Sequence, residues 1–233
     1  MGVSIHYSLS APAGLKPAEA LGLVERMRAV ALDMKRRRRV KSVSDIANGT
    51  ADALYEGRQF PNARSIWNGR EYFPEVRPTR GAVFEVDVGK DCEPLLIGLF
   101  KYPARVTSCE TGNNECRTRM GWGWQYRRHC KTQYASLHGW EHFRRCHLAV
   151  VDFLAALRPL GITVKISDEG HYWPSRDEQA LREKVGMMNR VIAAAAGAMK
   201  DAFDDGSIEA AIFAHPHFER LEAEGADLLK KRP

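Results

Sequence analysis

The sequence predicts an α/β or α+β fold in which amphipathic helices cover a mixed β-sheet, with long irregular loops. Strands are expected where apolar and polar residues alternate, at 3–8, 81–88 and 162–166. Helices are expected where apolar residues recur at helical spacing, at 17–34, 138–158 and 175–203. The two kinds of segment interleave along 233 residues, which suits a single domain spanning 1–233.

The N-terminal half is expected to hold a strand, a helix and a hairpin. Pro17 suits the first turn of the helix, where a missing N–H costs nothing. The helix ends in the basic run 35–39, which the helix dipole favours and which could also form a nucleic-acid patch. Residues 81–88 and 94–100 are expected to pair as a hairpin. Long loops are predicted on either side, at 45–80 and 101–128.

The C-terminal half predicts a helix, a strand and a second helix. Gly161 ends the helix 138–158, and the strand 162–166 follows directly. Ser175 and Glu178 have the spacing of a capping box, so the second helix is expected to begin there. A helical extension is predicted over 207–233.

Composition narrows the class of protein. The net charge of +6 and the pI of about 9.1 allow an anionic small molecule or a nucleic acid as partner. The most apolar runs are far shorter than the ~20 residues that cross a bilayer, so no membrane contact is expected. Five cysteines without an export signal indicate thiols or metal ligands rather than a disulfide framework, and therefore a cytoplasmic protein.

Histidines cluster between residues 129 and 171, where five of the eight occur. His138, Glu141 and His142 spell H-x-x-E-H, the inverted zinc-peptidase spacing, in which two histidines hold zinc and the Glu activates water. On a helical wheel the three share an arc with Arg145, opposite the apolar stripe. That position indicates a solvated face, and no third ligand can be placed, so zinc hydrolysis is a minor alternative.

Polar residues at the start of the helix 138–158 form a first candidate site. Lys131, Gln133 and Tyr134 precede the helix and could converge on an anion with its N–H groups. A polar strand-to-helix connection explains them equally well. His147 lies in the middle of the apolar stripe, either as a core histidine bonded to backbone or as an acid–base group facing a site.

The segment after the strand 162–166 forms a second candidate site. Asp168 and Glu169 are adjacent carboxylates at a strand end, where they could act as bases or bind a divalent metal ion, the one cofactor that they suggest. Asp168 could instead cap a turn. Tyr172, Trp173 and Arg176 follow and are candidates for binding substrate.

The segment 117–131 combines cations and aromatic rings. Such a composition is typical of surfaces that bind single-stranded nucleic acid, and also of ordinary surface loops. The residues that would contact nucleic acid are Arg117, Arg119, Trp122, Trp124, Tyr126, Arg127 and Arg128.

Three pieces, CEPL, KTQY and DEGHYW, resemble a pattern in uncharacterised bacterial proteins, where they fall in the same order. The resemblance carries no known activity. It implies that one site contains Glu93, Lys131, Gln133, Asp168, Glu169 and Tyr172.

Three functions remain open from the sequence. The first is a small enzyme, a hydrolase or group transferase, whose catalytic set is Glu93, Lys131, Gln133, His147, Asp168 and Glu169 and whose substrate is anionic or nucleotide-like. The second is a non-catalytic nucleic-acid-binding protein that uses 117–131. The third is a protein-interaction module that uses the long loops as its contact surface.

Overall fold

The computed structural model describes residues 3–50, 65–67, 70–72, 75–107, 115–118, 120–202 and 209–230. The α-helices in these residues are α1 (Pro17–Arg36), α2 (Trp140–Ala156), α3 (Glu178–Ala202) and α4 (Phe218–Lys230). Short 3₁₀ helices lie at Gln133–His138, Arg158–Leu160 and Ala211–Ala214. Within the described ranges, no helix is both long and apolar enough to cross a membrane.

The strands are β1 (Ser4–Ser10), β2 (Ser42–Val43), β3 (Ala47–Gly49), β4 (Ser65–Trp67), β5 (Arg70–Tyr72), β6 (Arg80–Asp87), β7 (Leu95–Lys101), β8 (Arg105–Thr107), β9 (Glu115–Arg117), β10 (Trp124–Lys131) and β11 (Thr163–Asp168). The main sheet has the order β11-β1-β10-β7-β6-β2, and β3 also pairs with β6. The helices and this sheet confirm the α+β form of the predicted fold.

The expectation of a mixed sheet is wrong, because neighbouring strands of the main sheet are antiparallel throughout the described residues. The helix α2 joins β10 to β11 across β1, which lies between them and runs opposite to both. The strands β10 and β11 run in the same direction, but they do not pair because β1 lies between them. The segments expected to be irregular also contain two small hairpins, β4–β5 and β8–β9.

One face of the sheet packs against the helices. Ile5, Tyr7 and Leu9 of β1 are almost fully buried in the main core, together with residues of α1 and α2. The residues between them on β1 point to the opposite face, where His6 and Ser10 are exposed. Side chains alternate between the two faces of a strand, so a strand with an apolar residue at every second position has one apolar and one polar face.

The strand β10 was not predicted, and it carries the polar face further. Along its length Trp124, Tyr126 and Cys130 are buried, whereas Arg127 is exposed and His129 is partly exposed. Its register with β1 sets His6 opposite His129 and Ser4 opposite Lys131. Apolar side chains do recur at alternate positions of β10, but the cationic or titratable residues at 127, 128, 129 and 131 make this alternation hard to recognise in the sequence.

Candidate functional site

Four ionisable side chains form a row across the exposed face of the sheet. Nε2 of His6 lies 3.3 Å from Oε1 of Glu169, and Nε2 of His129 lies 4.0 Å from Oε2 of Glu93. Between these two pairs, the rings of His6 and His129 have centroids 5.7 Å apart. We call Glu93, His129, His6 and Glu169 the sheet-face row. All four side chains are between 38% and 50% exposed, so a solute can reach them.

Backbone hydrogen bonds hold the two ends of the sheet-face row in place. Oε2 of Glu93 accepts a hydrogen bond of 2.8 Å from the N–H of Lys131, beyond the point where β7 and β10 pair. Oε2 of Glu169 accepts one of 2.9 Å from the N–H of Ser4. Each carboxylate therefore accepts a backbone hydrogen bond that a neighbouring strand would otherwise accept. These hydrogen bonds hold Glu93 beside His129 and Glu169 beside His6.

The electrostatics of the sheet-face row keep one imidazole neutral near pH 7. Partial burial lowers the pKa of His129, and the positive charges of Arg128 and Lys131 act in the same direction. The carboxylate of Glu93 opposes them, but the net shift is downward. A neutral imidazole next to a carboxylate can accept a proton, which is the property of a general base.

Cations flank the sheet-face row. Arg127 of β10 and Lys165 of β11 both lie opposite Ser8 and are exposed. Lys131 lies on β10 two residues from His129, on the same face of the strand. These three positive charges exceed the two carboxylates of the row by one, which favours an anionic substrate.

The remaining carboxylate and histidine of the predicted catalytic set lie inside the core. Nε2 of His147 lies 3.2 Å from Oδ2 of Asp168, and neither side chain is exposed to solvent. Nδ1 of His147 lies 2.9 Å from Oγ1 of Thr132, which is also buried. The order Thr–His–Asp resembles a catalytic triad, but no substrate can reach the hydroxyl. The structure therefore assigns His147 to a hydrogen-bonded core.

The Asp168 carboxylate also organises the turn that follows β11. It accepts backbone hydrogen bonds from Gly170 at 2.7 Å and from Tyr172 and Trp173 at 2.9 Å each. Burial raises the pKa of Asp168, but the contact with His147 and these N–H groups outweigh it and hold the pKa below its usual value. Asp168 thus caps a turn, whereas the adjacent Glu169 points to the opposite face of the sheet.

Gln133 is likewise structural. Its Oε1 accepts a hydrogen bond of 2.9 Å from the N–H of Val3, and its Nε2 donates one of 3.1 Å to Oδ1 of Asn189 on α3. Ser136 completes this buried polar group. The proposal that Gln133 binds an anion is therefore not supported, since both ends of its amide are engaged.

The predicted substrate-binding residues do not join the sheet-face row. The guanidinium of Arg176 lies over the rings of Tyr172 and Trp173, at 5.2 and 5.0 Å from their centroids, and binds Asp152 of α2. These contacts satisfy the cation within the protein. Tyr134 is exposed, at 42%, in the 3₁₀ helix before α2.

The H-x-x-E-H motif does not form a zinc site. His138 belongs to the 3₁₀ helix and is separated from α2 by Gly139, so it does not share a helix with Glu141 and His142. His138 contacts Asp91, and Nε2 of His142 lies 2.9 Å from the backbone oxygen of Lys90. Glu141 is 80% exposed. Within the described part of the chain, no group of three or more ligands could hold a metal ion.

The predicted nucleic-acid surface is reduced to fewer residues. Trp124 and Tyr126 are each only 5% exposed, so neither can stack on a base, whereas Trp122 is 84% exposed. Arg117 and Arg127 are exposed and Arg128 is partly exposed, while Arg119 lies outside the described residues. The interaction-module hypothesis uses the loops 45–80 and 101–128, and about half of the first and a smaller part of the second lie outside the described residues.

The three cysteines whose side chains are described are not accessible nucleophiles. Cys92, Cys130 and Cys146 are buried and reduced. The hydrogen bond to Cys130 and burial raise the pKa of the Cys92 thiol. The hydrogen bond to Cys92 and burial raise the pKa of the Cys146 thiol, so both thiols are protonated near pH 7. Protonated thiols are poor nucleophiles.

Sequence reasoning found Glu93, Lys131 and Glu169 and missed the two histidines between them. The signal for His6 was its position on the polar side of the first predicted strand. The signal for His129 was the alternation of β10.

A comparison with protein-family models, curated proteins and solved structures found no similar protein.

Proposed function

We propose that this protein is an enzyme, a hydrolase or group transferase, that acts on an anionic ester by general acid–base catalysis at the sheet-face row. The observation that carries the proposal is the pairing of two accessible histidines, 5.7 Å apart between ring centroids, each beside its own carboxylate. Two imidazoles at that separation can remove a proton from one atom of a substrate and deliver a proton to another.

The two histidines take different roles. His129 is the base, because the lowered pKa keeps its ring neutral and able to accept a proton near pH 7. We assign the role of acid to His6, the other accessible imidazole of the row, whose Nε2 lies 3.3 Å from Oε1 of Glu169. Lys131 and Arg127 lie on the same face and stabilise negative charge that develops on the substrate.

We assign the role of nucleophile to water or to a group of the substrate, and the thiols of Cys92, Cys130 and Cys146 and the hydroxyl of Thr132 are buried. Single-stranded RNA meets this requirement, since its 2′-hydroxyl lies next to the phosphodiester. The 2′-oxygen forms a bond to phosphorus and the bond to the 5′-oxygen breaks. His129 takes the proton of the 2′-hydroxyl, and His6 gives its proton to the 5′-oxygen. An open sheet face suits a polymer, and the exposed Trp122 just before β10 offers a base a stacking surface.

The test is cleavage of a fluorescent RNA oligonucleotide, with DNA of the same sequence as control. We expect RNA to yield a 2′,3′-cyclic phosphate and a 5′-hydroxyl end, and DNA to stay intact because it lacks the 2′-hydroxyl. Intact RNA after prolonged incubation would count against RNA as the substrate. Binding without cleavage would support the second candidate, a non-catalytic nucleic-acid-binding protein, which the exposure of Trp122 favours.

A further inference from the structure

We infer that a second, separate site binds a compact polyphosphate anion. A groove of about 650 Å³ lies between the end of α1, the residues before β2, the turn between β6 and β7, and the first half of α2. We call it the basic groove. It is lined by Lys35, Arg38, Val40, Lys41, Gly89, Lys90, His142 and Arg145. It shares no residue with the sheet-face row.

Four of the five lysines and arginines that line the basic groove form no ion pair with a described carboxylate, whereas Lys41 and several neighbours outside the groove do. Arg36 and Arg37 pair with Asp33, Arg39 pairs with Asp152, and Lys41 pairs with Asp87. The cations that line the groove and form no ion pair with any described carboxylate are Lys35, Arg38, Lys90 and Arg145. Like charges that face one cavity repel each other, and a multiply charged anion relieves that repulsion.

The wall formed by α2 is held in a defined geometry. Nε2 of His142 donates to the backbone oxygen of Lys90 at 2.9 Å, so its Nδ1 is free to accept a hydrogen bond of 3.1 Å from Arg145. The turn can approach α2 only because residue 89 is glycine, since a Cβ there would lie 2.7 Å from Sγ of Cys146. His142, a member of the apparent zinc motif, thus orients the Arg145 guanidinium.

The opposite wall is fixed by the end of α1. Arg38 adopts a left-handed backbone conformation with φ 57°, and its N–H donates to the oxygen of Lys35 at 2.9 Å. This turn ends the helix and places Arg38 and Lys35 along the same groove. A non-glycine residue in that conformation is uncommon and carries a small energetic cost.

The composition of the groove indicates the ligand. Val40 is the one large apolar residue in its described lining, and the one aromatic ring there, the imidazole of His142, is engaged with Lys90 and Arg145. Recognition therefore depends on the negative charge of the ligand, which phosphate groups supply at high density. The groove exceeds the size of a single phosphate, and four unneutralised cations match an ion with several negative charges. A compact polyphosphate, free or as part of a nucleotide, fits this description.

The experiment is calorimetric titration of the intact protein with sodium tripolyphosphate at fixed ionic strength. We expect K35Q and R145Q each to weaken binding by about tenfold. R37Q is the matched control, because it removes the same charge from a neighbouring residue that pairs with Asp33. We expect R37Q to bind within twofold of the unmodified protein.

Two results would overturn the inference: no measurable binding by the unmodified protein, or an equal loss in R37Q, which would indicate a diffuse charge effect. Circular dichroism of each variant confirms that it is folded. Because the groove and the sheet-face row share no residue, we expect the double variant H6N/H129N to bind tripolyphosphate normally. Loss of binding in that variant would contradict a separate site.

Discussion

Nε2 of His6 lies 3.3 Å from Oε1 of Glu169, although 163 positions of the chain separate the two residues. The contact arises because β11 pairs with β1 and ends just before Glu169. The same arrangement recurs on the other side, where His129 of β10 faces Glu93. The sheet thus brings together two histidine–carboxylate pairs from four separate segments.

The electrostatic coupling of His129 and Glu93 can be tested directly. The Glu93 carboxylate stabilises the protonated ring of His129, so E93Q should lower the His129 pKa further below its ordinary value. Because a base works only when neutral, the acidic limb of the pH–rate profile should move to lower pH. Histidine resonances followed by NMR against pH report the shift, with H171N used to assign the exposed His171. An upward shift in E93Q would show that Glu93 does not act on His129.

Asp168 is expected to contribute stability rather than catalysis. D168N weakens the hydrogen bonds to three backbone N–H groups and to His147, at a cost of about 1–3 kcal/mol at pH 7. The folded-state pKa is depressed, so this stability is complete above the unfolded pKa of about 3.9 and is lost as pH falls through the folded value. The gap between the two proteins in urea unfolding should therefore shrink from pH 7 to pH 3. A constant gap would refute this assignment.

Gln133 separates a structural role from a binding role. Q133L leaves the N–H of Val3 without its acceptor inside the core, and we expect it to lower the free energy of unfolding by about 1–3 kcal/mol. The KM of the folded variant for RNA should not change. A raised KM with unchanged stability would place Gln133 in the binding site after all.

Trp122 and Trp124, which only Gly123 separates in sequence, should behave in opposite ways. W124A removes a buried side chain whose Nε1 donates to the oxygen of Leu15, and should destabilise the fold by about 3–5 kcal/mol. W122A removes an exposed side chain and should leave stability unchanged while weakening RNA binding. Urea unfolding and fluorescence anisotropy, measured at two salt concentrations, distinguish them. Equal affinity in W122A and the unmodified protein would exclude stacking at Trp122.

Sequence periodicity predicted the main helices and several strands because the apolar residues on their buried faces recur over enough positions to form a clear pattern. It failed at β10, where Arg127, Arg128, His129 and Lys131 hide the buried positions Tyr126 and Cys130. A half-buried strand needs only every second side chain to be apolar, and a cation at one of those positions breaks the pattern.

The candidate site was predicted in part for a related reason. Asp168 and Glu169 are adjacent in sequence, so sequence reasoning grouped them, yet alternation along a strand sends their side chains to opposite faces. Gln133 was grouped with them because it precedes a predicted helix, and His147 because a histidine on a helix can face a site at the end of the sheet. Whether such a residue faces a site or the core depends on how its helix packs on the sheet, which a single sequence does not state.

The measurement that tests the central claim most directly is the RNA cleavage rate of H6N, H129N and H171N, purified in parallel. We expect the first two to lose about 10²–10⁴-fold in kcat/KM, because each removes one proton-transfer group. H171N should retain full activity, since His171 is exposed and lies outside the sheet-face row. Equal rates in all three variants would contradict acid–base catalysis by the His6–His129 pair.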